Sequence, residues 1–298
     1  MNIILYHAHC PDGFGAAFAA WLKFGDAARY IPVSYGKPIP VEGTSLSPTR
    51  TPGDKDVPST IYILDFSYPA DVLEELAGRA DVQKVVVLDH HKTAAEALYG
   101  LPDPAMPEKL TARFDMEKSG AVLAWEYFHP DEPIPPVLLY LQDRDLWKWE
   151  LEWSREINAG LWRATERTFE HWDICTRWMS IAPTLDPEDC MAHEFRERGG
   201  AILQSDRLML DTLAAGAGHQ HTTGGLCRVV NSPVLQSELG DKLLADDPMC
   251  EYVDIWWETA TGRHHSLRSR KGGVDVSAIA AHRGGGGHQS AAGWREQP

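Results

Sequence analysis

Short apolar runs that stop at His or Asp recur through the N-terminal half of this sequence. Met1 to Tyr6 leads into His7-Ala8-His9-Cys10-Pro11-Asp12, Thr60 to Leu64 leads into Asp65, and Lys84 to Leu88 leads into Asp89-His90-His91. Brief β-branched and aliphatic runs bounded by polar residues predict buried strands. Between them, Gly13 to Leu22 and Pro69 to Ala80 carry helical patterns, with Asp12 placed to cap the first. A further helix opens at Ser119-Gly120-Ala121 and runs to Phe128, where Pro130 and Pro133 stop it. Strand, helix, strand in this order predicts right-handed crossovers and a parallel sheet. Gly36 to Ser59 is rich in Pro, Gly, Ser and Thr and reads mostly as a surface loop.

Farther along, charged and aromatic positions interleave in a helical pattern from about Leu146 to Gly218. Trp147, Trp149, Trp153, Trp162, Trp172 and Trp178 all lie there. Such rings can stack bases, or they can pack a helical layer or a subunit contact, and packing is the preferred reading. Ala201 to Ala215 predicts a connecting helix. Beyond it, Leu226–Val230, Tyr252–Trp257 and His264–Arg268 read as strands, with helices at Leu235–Ala245 and Val276–His282. The expected organisation is an α/β domain at 1–150, a Trp-rich helical connector at 151–218 and a smaller α+β domain at 219–298.

Composition narrows the function. With 298 residues the chain has room for two cores, and 43% hydrophobic and 24% charged residues are ordinary for a globular protein. No apolar stretch approaches the roughly 20 residues of a membrane helix, and the N-terminal run lacks a basic flank, so cytoplasmic localisation and no membrane partner are expected. The five scattered cysteines include no C-x-x-C pair, which argues against a disulfide framework or a structural zinc site. A formal charge of −15 disfavours long duplex DNA, since that binding rests on neutralising phosphates. Small phosphorylated substrates stay open, because a local metal cluster outweighs a global field.

Three strands that each end in carboxylate or imidazole predict a metal site, because ligands gather beyond the carboxyl ends of parallel strands. The second chemical signal is Gly284-Gly285-Gly286-Gly287-His288. Consecutive glycines bare backbone N–H groups to a phosphate, and His288 and Arg268 add donors. The competing reading of the glycines is a tight turn.

With these motifs in place, the chain resembles the DHH phosphoesterase superfamily, through Asp89-His90-His91 and a C-terminal segment similar to the DHH-associated substrate-binding domain. The resemblance implies two divalent cations, usually Mn2+ with Mg2+ or Co2+ as substitutes, and hydrolysis of phosphoester or phosphoanhydride bonds in a cleft between two domains. It implies His7, Asp12, Asp65, His90 and Asp143 as metal ligands, with Asp145 able to exchange with Asp143. His91, Arg268, Ser269, Gly285, Gly286, Gly287 and His288 are implied at the substrate. Asp89 is expected to orient a histidine, joining His91, Arg268 and His288 in the catalytic set. Cys10 stands where the family usually has an aspartate, leaving His9, Cys10 or water as that ligand.

The expected activity is metal-dependent cleavage of short oligonucleotides or small nucleotides, with a homodimer allowed. The rivals are a polyphosphate or cyclic-dinucleotide hydrolase, and a nucleotide-binding regulatory protein that keeps the phosphate pocket without turnover.

Overall fold

The computed structural model describes residues 1–40, 58–99, 108–181, 191–222 and 224–296. Most of the loop expected between Gly36 and Ser59 lies outside them. The chain divides into two compact units, Met1–Gly200 and Ala201–Pro298.

The first unit contains β1 (Asn2–His7), α1 (Pro11–Phe24), β2 (Ala28–Val33), β3 (Ser59–Leu64), α2 (Ala70–Gly78), β4 (Val82–Asp89), α3 (Lys92–Tyr99), β5 (Leu110–Phe114), α4 (Gly120–Phe128), α5 (Pro136–Asp145), α6 (Ser154–Arg163) and α7 (Phe169–Ile181). Its strands form a parallel sheet in the order β2-β1-β3-β4-β5. The near-continuous apolar strands follow from this, since a parallel sheet is covered on both faces. Ile4, Leu64, Val86 and Leu88 join one core with α1, α4 and α5, whereas Ile3, Leu5, Ile61, Ile63, Val85 and Val87 join a second core with Leu73 and Leu76 of α2. Each such aliphatic side chain, taken fully out of water, contributes about 1.5–3 kcal/mol.

The strands β2 and β5 do not stand out in the sequence pattern. β2 is only partly buried at most positions and contains Pro32, and β5 has only five residues, two of them exposed. The Trp-rich stretch also differs from a separate connector. Its α6 and α7 belong to the first unit, where fully buried Trp172 packs edge-on against Phe14 at 4.7 Å and Phe18 at 5.9 Å. Distant partners, not local pattern, assign these helices. Helix α8 (Met191–Ala215) then crosses the boundary at Gly200.

The second unit holds β6 (Gly218–Thr222), β7 (Gly225–Asn231), α9 (Gln236–Asp246), β8 (Tyr252–Thr259), β9 (Gly262–Ser269), α10 (Val276–His282), β10 (Gly286–His288) and β11 (Ala291–Arg295). They build a mixed sheet in the order β10-β11-β9-β8-β7-β6, with β7 and β8 parallel and the other neighbours antiparallel. The molecule is thus α/β, with a parallel-sheet domain followed by a smaller α+β domain. No helix among the described residues is long and apolar enough to cross a membrane.

Candidate metal centre and phosphate-binding residues

The strand order reverses at β1, which has β2 on one side and β3 on the other. Loops leaving the carboxyl ends of such neighbours diverge and open a crevice there. His7 ends β1, Asp65 follows β3 and Asp89 ends β4, so the topology delivers all of them to this edge. Asp65 sits in the left-handed region at φ 62, an unfavourable setting for a residue with a Cβ.

His90 is fully enclosed at the middle of the cluster. Its Nε2 lies 3.1 Å from Asp65 Oδ1, 3.5 Å from Asp12 Oδ2 and 3.6 Å from Asp145 Oδ2. On the other side of Asp65, His7 Nδ1 is 3.4 Å from Oδ2. Trios of ligand-capable groups result, among them His7, Cys10 and Asp65, then Asp12, His90 and Asp145, and also Asp65, Asp89 and His91, each with its donor atoms within 4.8 Å of one another. Asp65 touches an imidazole of each of the first two.

The helix ends are fitted to these carboxylates. Asp12 accepts from the backbone N–H of Gly120 at 2.5 Å and Ala121 at 3.0 Å, two of the free donors at the start of α4. A Cβ at Gly120 would stand 2.6 Å from Asp65 Cβ, so that helix can approach only as glycine.

Asp89 has a different task. Fully buried, it accepts through Oδ1 from His90 N at 2.7 Å, His91 N at 3.3 Å and His91 Nδ1 at 2.7 Å. This fixes the ring of His91 with its proton on Nδ1 when neutral.

The electrostatics strain toward a cation. Burial raises the Asp12 carboxyl well above the usual range, and repulsion from Asp145 and Asp65 adds to it. Burial likewise raises Asp145, while His90 and His91 oppose the shift. Burial also acts on Asp65, but His7 and His90 outweigh it and hold that carboxyl well below the ordinary range. Burial alone would lower His90 and His91, yet Asp145 and Asp65 raise the first and Asp89 the second. The Cys10 thiol is pushed up by burial and then by the three nearby carboxylates. Asp145 Oδ2 and Asp89 Oδ2 are buried acceptors without a hydrogen bond among the described residues. Crowded, incompletely bonded carboxylates beside imidazole are the oxygen and nitrogen donors that divalent metals take, so the residues fit such ions.

No family model matches the chain. An uncharacterized protein of Acanthamoeba polyphaga mimivirus is 31% identical over 307 aligned residues, covering 98% of this chain and 67% of its own length. Oligoribonuclease NrnB of Bacillus subtilis (strain 168) is 23% identical over 304 aligned residues, covering 97% of this chain and 71% of its own. Both alignments run over nearly the whole chain, in line with its resemblance to the DHH phosphoesterase superfamily. Among solved structures, an exopolyphosphatase-related protein from Bacteroides fragilis aligns with TM-score 0.49 and 14% identity, covering 99% of this chain and 86% of that one. RecJ in complex with Mn2+ from Thermus thermophilus aligns with TM-score 0.46 and 15% identity, covering 99% and 49% respectively.

Of the metal ligands that the DHH resemblance implies, the structure brings together His7, Asp12, Asp65 and His90, with Cys10 beside them. Asp143 is elsewhere. Its Oδ1 accepts from Glu150 N at 2.9 Å and its Oδ2 from Leu151 N at 3.2 Å, which ties down the loop after α5. Asp145 occupies the cluster instead. Residues two apart on a helix point about 200° apart, so one of the pair faces the metals and the other turns away. His9 is exposed, at φ 58, in the turn before α1, outside these trios.

The C-terminal candidates lie on the second unit. Strand register sets Arg268 opposite Ala291 and Ala291 opposite His288, so Arg268 and His288 share one cross-strand row and one face of the sheet. Arg268 donates to Ser266 Oγ at 3.0 Å, Leu267 O at 2.7 Å and Ser237 Oγ at 2.8 Å. Ser269 is buried, and its hydroxyl donates to Val274 O at 2.6 Å. The glycines have a packing reason of their own. A Cβ at Gly285 would collide with Gly293 O, and one at Gly287, where φ is +141, would meet Ala291 O at 2.6 Å. Gly286 pairs with Gly293 across the same hairpin.

Sequence reasoning missed Tyr35, whose ring lies 4.9 Å from His7 and 6.0 Å from His91. The available signal is Val33-Ser34-Tyr35-Gly36, a turn directly after β2, but the pattern of that strand is too weak to announce it.

Proposed function

We propose that this protein hydrolyses phosphodiester bonds of short oligoribonucleotides or small nucleotides, using two divalent cations, most naturally Mn2+, held side by side. The observation that carries this reading is the pair of ligand trios meeting at Asp65. His7, Cys10 and Asp65 would hold one ion, and Asp12, His90, Asp145 and Asp65 the other. When bound, such ions supply Lewis acidity to phosphoryl oxygens and lower the pKa of water into the neutral range.

The chain's own residues do the rest. The imidazole of His91, fixed through Nδ1 by Asp89 and raised in pKa by it, brings positive charge to the phosphoryl group where negative charge develops. Arg268 and His288, on one face of the second sheet, supply donors suited to phosphate oxygens. The likeness to an oligoribonuclease over nearly the whole chain supports ribonucleotide substrates. The chain's net charge of −15 supports short ones.

The test is a turnover panel in Mn2+ containing linear dinucleotides, 5-mers, phosphoadenosine phosphate, cyclic dinucleotides and polyphosphate. Cleavage of the linear nucleotides ahead of polyphosphate and cyclic dinucleotides is expected. Polyphosphate as the preferred substrate would transfer the assignment to the phosphoanhydride rival. Bound metal with no turnover on any member would favour the regulatory one, for which Cys10 in place of a carboxylate is the supporting feature.

A further inference from the structure

We propose that Tyr35 is the nucleobase-stacking residue of the substrate site, so that the substrate must carry a planar base next to its scissile phosphate. This inference rests on the phosphoesterase reading above and deepens it by naming what recognises the nucleoside.

Tyr35 is placed by its local sequence. Ser34-Tyr35-Gly36-Lys37 forms a turn immediately after β2, closed by Lys37 N donating to Ser34 O at 3.2 Å. Gly36 takes φ +76, and a Cβ there would meet nothing within 4 Å, so the glycine serves conformation, not space. Tyr35 stands at the corner of this turn, at the carboxyl end of the strand beside β1, where the crevice opens.

Its ring is fixed by edge contacts. It meets His7 at 4.9 Å and 69°, His91 at 6.0 Å and 80°, and Phe66 at 6.2 Å and 84°. Even so, the residue remains 53% exposed. An aromatic ring oriented on three sides yet open to water offers an apolar surface at small entropic cost, since little freedom remains to be lost on binding. Tyr99 is exposed to a similar degree, at 48%, but its hydroxyl donates to Ala112 O and its ring packs on Phe114, so its position is explained within the fold. Tyr35 instead touches one proposed metal ligand and the imidazole that faces the phosphoryl group. A group bound one sugar away from that phosphate reaches such a ring, and in nucleotides that group is a base. Stacking accepts every base, so Tyr35 selects nucleotides over inorganic polyphosphate without selecting sequence.

Binding of a non-hydrolysable probe tests this apart from turnover. Diadenylate with a methylene-phosphonate linkage and its two single-abasic analogues are titrated calorimetrically against the Mn2+-loaded wild type, Tyr35→Ala and Tyr35→Phe. The wild type should bind the complete probe about 10-fold or more tighter than one abasic analogue. Tyr35→Ala should erase that preference by weakening the complete probe alone, and Tyr35→Phe should retain it. Equal binding of all probes by the wild type, or equal weakening of all by Tyr35→Ala, overturns the stacking role. Hydrolysis of natural diadenylate is scored separately. Its absence with the binding preference intact overturns the proposed reaction and leaves Tyr35 assigned.

Discussion

The strand ends of the first unit and the glycine hairpin of the second both look like ligand sites in the sequence, but they are built on opposite principles. In the first, Asp12, Asp65 and Asp145 crowd around His90, Asp145 Oδ2 and Asp89 Oδ2 find no hydrogen bond among the described residues, and Asp65 takes an unfavourable backbone conformation. Nothing in the packing alone calls for this arrangement. In the second, Gly285 and Gly287 are required by the close pass of β10 and β11, and Ser269 by the turn at Val274. The contrast separates residues that the fold tolerates for the sake of a ligand from residues that the fold itself needs. Buried, incompletely bonded charge is the stronger mark of function.

Removing the shared carboxylate should break the first region most severely. Asp65→Ala should abolish turnover and lower bound metal together, measured by elemental analysis of the purified protein. Near-wild-type turnover would falsify the dinuclear assignment. The neighbouring pair on α5 sharpens the point. Asp145→Ala should lose metal and activity, whereas Asp143→Ala should keep metal stoichiometry and lose about 1–3 kcal/mol of stability, because two backbone donors at Glu150 and Leu151 are left without their acceptor. If Asp143→Ala is the variant that loses metal, the assignment of Asp145 is wrong.

Asp89 tests orientation as distinct from ligation. Asp89→Asn keeps the shape but removes the charge that holds His91, and should cost about 10- to 100-fold in turnover. Activity that depends on protonated His91 should also be lost at lower pH than in the wild type, since Asp89 is what raises His91. An unchanged pH profile would mean that His91 does not act in its protonated form.

In the second unit, Arg268→Ala should raise KM for a dinucleotide about 10- to 100-fold with metal content unchanged, and Arg268→Lys should recover part of it, since a point charge does not reproduce the two-pronged contact. The same KM in all three proteins would leave the Arg268–His288 row without a role in substrate binding. The smallest effect on chemistry belongs to Gly287→Ala. Strain at φ +141 and contact with Ala291 should cost about 1–3 kcal/mol, seen in thermal unfolding, with metal binding intact.

Much of the first region is legible because its signals are local. A parallel sheet buried on both faces writes each strand as an apolar run, and the residue after the run must emerge where ligands bind. His7, Asp65 and Asp89-His90-His91 can therefore be found without coordinates, and Asp12 follows from its place at the start of α1. The alternation that would reveal β2 is weak, β5 alternates over only five residues, and β10 and β11 are made largely of glycine and alanine, which carry little strand preference.

By itself, then, the sequence determined the α/β class and the strand ends that carry carboxylate and imidazole, since periodicity and motif are properties of neighbours along the chain. Tertiary structure alone decided which of Asp143 and Asp145 meets His90, because that depends on the rotation of α5 against the sheet. It also joined α6 and α7 to the first core through Trp172, and set Tyr35 against His7 and His91. These are contacts between residues far apart in sequence, and no local pattern encodes them.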